Sequence, residues 1–241
     1  MLILENITWK VPDGDQILKG VDLVIPSGGL TVITGPNGGG KTSLAKIVAG
    51  LVTPDTGRIL LDGEDLTSLS ITERARKGVG YAFQQPVRFK GITVRDLLEL
   101  AAGHTLSEKE LCDILGSVGL CTHDYIDREV STGLSGGEIK RIEIASVLAR
   151  SDTKLCIFDE PEAGIDLWSF AGLIEAFQKL KTKNSGSILI ISHQERILNI
   201  ADEIVVIADG KVKARGTRQE IMPTLLADEK AAHCPRGKEV Y

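Results

Sequence analysis

Nothing in this chain is long and apolar enough to cross a bilayer. A spanning helix needs ~20 apolar residues in a row, and the longest runs here, such as 188–191 and 204–208, are the length of strands. The N-terminus has no basic segment leading into a long apolar stretch, so no secretory signal is expected. Basic excess is missing as well. Against 28 Lys and Arg stand 33 Asp and Glu, a net charge of −5. No global field therefore draws the protein to nucleic acid or anionic lipid, and no nucleic-acid partner is expected. The four cysteines, Cys112, Cys121, Cys156 and Cys234, form no Cys-x-x-Cys pair, and their even number establishes no disulfide. Cys156 lies in an apolar run and reads as a small core residue. His233 and Cys234 adjoin in a polar tail with no further ligands clustered nearby, too few for a metal centre. There is no internal repeat and no low-complexity tract. With 42% hydrophobic and 25% charged residues, the chain suits a globular protein with a sizeable core. Its expected place is cytoplasmic, free or docked beneath a membrane protein.

What the chain does have is Gly35-Pro36-Asn37-Gly38-Gly39-Gly40-Lys41-Thr42. It fits G-x-x-x-x-G-K-[ST], the phosphate-binding P-loop pattern. Glycines let the backbone curl so that successive N–H groups face phosphate oxygens. Lys41 adds a point charge for the terminal phosphates, and Thr42 offers a hydroxyl to Mg²⁺. The context agrees. Residues 30–33 are a β-branched apolar run, and after the loop Leu44, Ile47 and Val48 recur at helical spacing. Strand, loop and helix together set a helix N-terminus beside the phosphates.

Strands are expected at 2–8 and 21–25 with a turn at Asp13-Gly14, then at 58–62 and 79–83, where Gln84-Gln85-Pro86 ends the strand. Residues 72–77 read as a short solvated helix. Helical texture follows, at 94–102 with Thr93 as N-cap and at 108–118 bounded by Gly119. Ser135 and Glu138 form a Ser-x-x-Glu capping box that opens a helix over 138–149. Strands return at 155–158, 188–191, 204–207 and 211–214, the last two a hairpin around Asp209-Gly210, with an amphipathic helix over 170–180. From 216 a short helix and a loose end are expected, with Pro223 and Pro235 in it. The division implied is an α/β core of 1–86 and 153–215, a helical insert of 87–152 and a C-terminal tail of 216–241, with strands on either side of the insert sharing one sheet.

Asp159 and Glu160 close the apolar run at 155–158. At a strand's C-terminal end Asp159 can hold Mg²⁺, directly or through water. Glu160 can reach an in-line water as general base. The second motif is Leu134-Ser135-Gly136-Gly137-Glu138. Ser-Gly-Gly at a helix N-terminus makes an anion site from N–H groups, a dipole and a hydroxyl.

With these motifs the chain resembles the ATP-binding cassette (ABC) ATPases, whose signature is LSGGQ or LSGGE. The resemblance covers about residues 2–216, and further motifs fall in the family's order. Gln84 matches the Q-loop glutamine, a ligand to Mg²⁺ and the attacking water. Ala163-Gly164-Ile165-Asp166 matches the D-loop, and His193 matches the switch histidine on the γ-phosphate. The fold implied is an α/β P-loop NTPase of ABC type, a mixed sheet core with a helical subdomain and an antiparallel β subdomain. The roles implied are ATP contacts at Gly35 to Thr42, Ser43, Ser135, Gly136, Gly137 and Asp166, Mg²⁺ at Thr42, Gln84 and Asp159, and catalysis by Glu160, His193 and Gln84. In this family two cassettes sandwich two ATP molecules head to tail, the P-loop of one facing the Ser135-Gly136-Gly137 of the other.

The family's aromatic A-loop position falls on Val11, and Trp9, by strand alternation, points to the other side. Glu138 replaces the usual glutamine of transporter cassettes. Glu73-Arg74-Ala75-Arg76, Tyr81-Ala82-Phe83-Gln84-Gln85-Pro86-Val87 and Ser192-His193-Gln194-Glu195-Arg196-Ile197-Leu198 are similar to the Suf-type iron–sulfur cluster assembly ATPases. That resemblance implies a scaffold partner of the SufB/SufD type. Glu160-Pro161-Glu162 instead keeps the proline of many transporter cassettes, which implies a membrane permease as partner. An ATP-dependent clamp that turns over rarely would use the same residues.

Overall fold

Runs of β-branched and aliphatic residues without polar alternation form strands buried on both faces, and the computed structural model of the chain places three of them side by side. It describes residues 1–12, 14–84, 89–131, 133–183 and 186–232, excepting the side chains of 167–169, 183 and 226–232. The expectations for Asp13, Gln85, Pro86, Val87, His233, Cys234 and Pro235 fall outside the described residues. In chain order the elements are β1 (Leu2–Lys10), β2 (Gln16–Ile25), β3 (Leu30–Thr34), α1 (Lys41–Ala49), β4 (Thr56–Leu61), β5 (Glu64–Asp65), α2 (Ile71–Arg76) and β6 (Val79–Ala82). The insert supplies α3 (Val94–Ala102), α4 (Glu108–Ser117), α5 (Thr122–Tyr125) and α6 (Gly136–Leu148). Then come β7 (Leu155–Asp159), α7 (Leu167–Lys183), β8 (Ser187–Ile191), α8 (Glu195–Leu198), β9 (Glu203–Ala208), β10 (Lys211–Gly216) and α9 (Arg218–Ala232).

Two sheets result. One is antiparallel, in the order β2-β1-β4-β5. The other is mixed, in the order β10-β9-β3-β8-β7-β6, with β9, β3, β8, β7 and β6 parallel and β10 returning antiparallel as a hairpin. β3 and β6 precede the insert and β7 to β10 follow it, so one sheet does hold strands from both sides. β1, β2, β4 and β5 belong to the other sheet. Alternation along the mixed sheet sorts its residues between two cores. Val32, Cys156, Phe158, Ile188 and Ile190 face α3, α4, α6 and α7. Ile33, Leu155, Ile157, Leu189, Ile191 and Val205 face α1 and the antiparallel sheet. Cys156 is a core residue as expected, and burial pushes its thiol up to about 12. No helix among the described residues is long and apolar enough to cross a membrane.

Two local expectations are corrected. The α2 segment is not merely solvated, because Arg74 is 2% exposed. Its guanidinium donates to the carbonyls of Ile47 and Val48 at 2.6 and 3.0 Å, and to those of Leu69 and Thr67, each at 3.0 Å. It thereby supplies donors to carbonyls at the C-terminal end of α1, of which that of Ile47 also accepts from the Gly50 N–H at 3.1 Å. The second concerns the tail, where the helix expected after 216 is present but longer than expected, α9 running 15 residues through Pro223. Thr217 caps its start, donating from its N–H and hydroxyl to Glu220 at 2.8 and 2.9 Å. Ile221 docks into the core beside Met222 and Leu225. That packing outweighs the one hydrogen bond a proline removes.

Candidate active site

The P-loop is shaped by what lies beneath it. Gly35 has φ +132, and a Cβ there would sit 2.1 Å from the carbonyl oxygen of Ile207 in β9. Gly40, at φ +103, leads into α1 with no side-chain cap. The N–H groups of the first turn are therefore free to meet an anion. Asn37, Gly38, Gly40, Lys41, Thr42 and Ser43 face a cavity of about 310 Å³, closed by Gln84 and Glu160 on one side and Ile17 on the other.

Lys41 is buried, and its ammonium donates to the carbonyls of Gly35 and Pro36, each at 2.8 Å. Burial pulls its pKa down, while the charges of Glu160 and Asp159 push it back up. The β7 strand ends at Asp159, which is fully buried. Thr42 donates its hydroxyl to Asp159 Oδ1 at 3.1 Å, and Tyr81 donates to Oδ2 at 3.1 Å. Burial raises the carboxyl above the usual carboxylate range, and those two hydrogen bonds oppose the rise. Glu160, next along, has φ +47, a region costly for a non-glycine residue. Gln84 donates from Nε2 to its Oε2 at 2.7 Å.

Asp159 and Thr42 suit Mg²⁺. This hard cation takes one or two carboxylate or hydroxyl oxygens and fills its shell with water and phosphate. A buried carboxylate turned toward a P-loop threonine is such a donor set. No described group of three or more His, Cys, Asp and Glu side chains could hold a metal by itself, so the remaining ligands would come from nucleotide and water.

Ser135 caps α6. Its hydroxyl accepts from the Glu138 N–H at 3.2 Å, and Glu138 Oε2 accepts from the Ser135 N–H at 2.7 Å. The expected capping box is therefore present, with its helix beginning at Gly136. Glu138 Oε1 accepts from the Tyr125 hydroxyl at 2.5 Å. Gly137 packs on the D-loop, where an added Cβ would lie 2.8 Å from the Gly164 carbonyl. Ser135, Gly136, Asp166 and His193 are exposed. None of them, nor Gly137, lines the P-loop cavity. The chain thus brings Gly35 to Ser43, Gln84, Asp159 and Glu160 together, and holds Ser135, Gly136, Gly137, Asp166 and His193 on other surfaces.

Several participants are not apparent from motifs. Ile17 lines the cavity, and alternation before Leu18 is the only signal for it. Trp9 is half-buried against the core beneath the antiparallel sheet and does not reach the cavity. Glu143 accepts the Phe83 N–H at 2.7 Å, and Lys140 donates to the Gln84 carbonyl at 3.3 Å. The helix that starts at Ser135 thus grips the backbone beside Gln84. Glu162 accepts the Ser192 hydroxyl at 2.5 Å, tying the D-loop to the segment before His193, and burial raises its pKa.

A P-loop, a buried aspartate followed by a partly exposed glutamate at the end of β7, and a capped Ser-Gly-Gly helix define an ATPase of the cassette class. The family model described as ABC transporter matches residues 18–163, and the chain belongs to that family. It is an ATP-binding cassette ATPase. It is 39% identical over 214 residues to an ABC transporter ATP-binding protein of Methanocaldococcus jannaschii, covering 86% of this chain and 85% of that one. It is 33% identical over 228 residues to the lipopolysaccharide export system ATP-binding protein LptB of Haemophilus influenzae, covering 92% of each. Among solved structures, a nucleotide-free ATP-binding cassette from an ABC transporter superposes with TM-score 0.80 at 27% identity, covering 99% of both chains. The ADP conformation of the cassette MJ1267 gives 0.79 at 29%, also covering 99% of both. The mixed-sheet ABC fold expected from the sequence is the fold found.

Proposed function

We propose that the chain hydrolyses ATP as a head-to-tail pair of cassettes and spends the closure on remodelling a soluble iron–sulfur scaffold of the SufB/SufD type. The observation that supports the paired site is the separation described above. The P-loop cavity is lined by Lys41, Thr42, Gln84 and Glu160, with Asp159 bound to Thr42, while Ser135, Gly136 and Gly137 form a second anion site outside that lining. A second copy completes each site with its own Ser135-Gly136-Gly137.

In this reading the N–H groups of Gly38, Gly39 and Gly40 cradle the phosphates, with Asn37 and Ser43 at the rim. Lys41 exchanges its two carbonyl contacts for the terminal phosphates. Thr42 and Asp159 would hold Mg²⁺, which supplies charge to offset the phosphate oxygens. Glu160 takes a proton from the water that attacks the γ-phosphorus in line, and the bond to the ADP oxygen breaks. Gln84 leaves Glu160 to orient that water. His193 donates to the γ-phosphate, and Asp166 faces the partner across the junction. Loss of the bridging γ-phosphate then releases the dimer. In this reading the chain is a core of 1–86 and 153–215, an insert of 87–152 that couples it to the partner, and a tail from 216.

The Suf-type reading is supported by Glu138 in the signature, by the aliphatic Val11 at the A-loop position, and by the segments around Gln84 and His193. The second reading, a cytoplasmic nucleotide-binding subunit docked on a membrane permease, is supported by Pro161 after Glu160 and by relatives such as LptB. Affinity purification from the native cell separates them. A co-purifying soluble scaffold with no integral membrane subunit is the expected result; a polytopic permease would overturn it.

A further inference from the structure

A different hydroxyl holds each oxygen of the Asp159 carboxylate, and Thr42, the one bound to Oδ1, lines the phosphate cavity. Thr42 is bound to Oδ1 and Tyr81 to Oδ2, both at 3.1 Å. Asp159 is fully buried. A carboxylate's terminal torsion is broad and two-fold, so its own rotamer preference does not fix the plane of the oxygens. Two donors on opposite oxygens do fix it. When Thr42 turns its oxygen toward a cation, the Tyr81 hydroxyl is the contact that remains to keep Oδ1 aimed at the cavity.

Tyr81 is itself firmly placed. It lies on β6, the edge strand of the mixed sheet, opposite Ile157. Its ring meets that of Phe83 edge to face, with centroids 4.9 Å apart, and packs on the core shared with α1. The ring serves packing, and the hydroxyl is what reaches the site.

We propose that Tyr81 is a positioning residue for the metal–nucleotide site, acting through Asp159 by fixing which carboxylate oxygen faces the cation. The proposal rests on the reading of Thr42 and Asp159 as the Mg²⁺ pair. Tyr81→Phe removes the hydroxyl and keeps the ring. The test is the affinity of the full chain for a fluorescent ATP analogue, measured in excess EDTA and across a Mg²⁺ titration. Affinity in EDTA should stay at the parent's value. The Mg²⁺ concentration giving half of the metal-dependent gain should rise about 10-fold or more, the usual effect of losing a partner that orients a metal ligand. A fluorotyrosine at position 81, with its stronger O–H donor and nearly unchanged shape, should lower that concentration and provides a readout if the phenylalanine variant does not fold. An unchanged Mg²⁺ midpoint in both variants would overturn the role of Tyr81. A parent whose affinity ignores Mg²⁺ would instead overturn the Thr42–Asp159 reading beneath it.

Discussion

Gln84 donates from Nε2 to Glu160 Oε2 at 2.7 Å, so the side chain proposed to position water is spent holding the side chain proposed to activate it. Glu160 also sits at φ +47. Glu160→Gln keeps a side chain that can still meet Gln84 but cannot accept a proton. ATP affinity should persist while turnover falls about 10²- to 10⁴-fold, the range for loss of a general base. Phosphate release compared with equilibrium nucleotide binding checks it; normal turnover would remove Glu160 from the role.

Lys41 donates to the carbonyls of Gly35 and Pro36, and its charge is available to a polyphosphate. Lys41→Ala should weaken ATP binding about 10- to 100-fold, the worth of a charge-assisted contact. Isothermal titration with ATP reads it directly.

Trp9 and Ile17 make opposite predictions. Trp9→Ala should destabilise the fold by about 1–3 kcal/mol, less than a fully buried tryptophan would, and leave ATP affinity unchanged. Ile17→Ala should weaken ATP binding with little loss of stability. Denaturant unfolding paired with nucleotide titration separates the two. If Trp9→Ala loses affinity while remaining folded, Trp9 is a base platform after all.

Lys140 is fully buried, with Glu143 its ion-pair partner at 3.5 Å. Removing one partner strands a buried charge. Glu143→Ala should cost about 3–5 kcal/mol, whereas Lys140→Met with Glu143→Leu should recover most of that stability. The double variant still loses the grip on Phe83 and Gln84, so stability should return without full ATPase activity.

Glu138 is held well below the ordinary glutamate range, first by the Tyr125 hydroxyl and then by the Ser135 N–H. A carboxylate with a depressed folded pKa contributes stability above its unfolded pKa and loses it as pH falls through the folded one. Tyr125→Phe raises the folded value. The acid limb of thermal stability, below about pH 5, should therefore move to higher pH, as a melting series across that range would record.

Much of this was legible where chemistry and sequence spacing coincide. The P-loop, the acids closing β7 and the Ser135–Glu138 box are local patterns, and each lies where its spacing implied. What was not legible depends on contacts distant in sequence. Arg74 reads as a charged residue on a polar helix, and its burial follows from carbonyls on α1 that only the fold brings near. Tyr81 looks like an ordinary strand residue until β7 sets Asp159 beside it. The length of α9 depends on Ile221 docking into the core, a contact the polar sequence after 216 does not reveal.

The account turns on a site completed by a second copy, and sedimentation of Glu160→Gln with and without Mg²⁺ and ATP tests that most directly. The prediction is a shift from monomer to dimer on adding Mg²⁺ and ATP, abolished when Ser135→Arg is added to the same chain while nucleotide binding persists. A Glu160→Gln protein that binds ATP yet sediments as a monomer would contradict it.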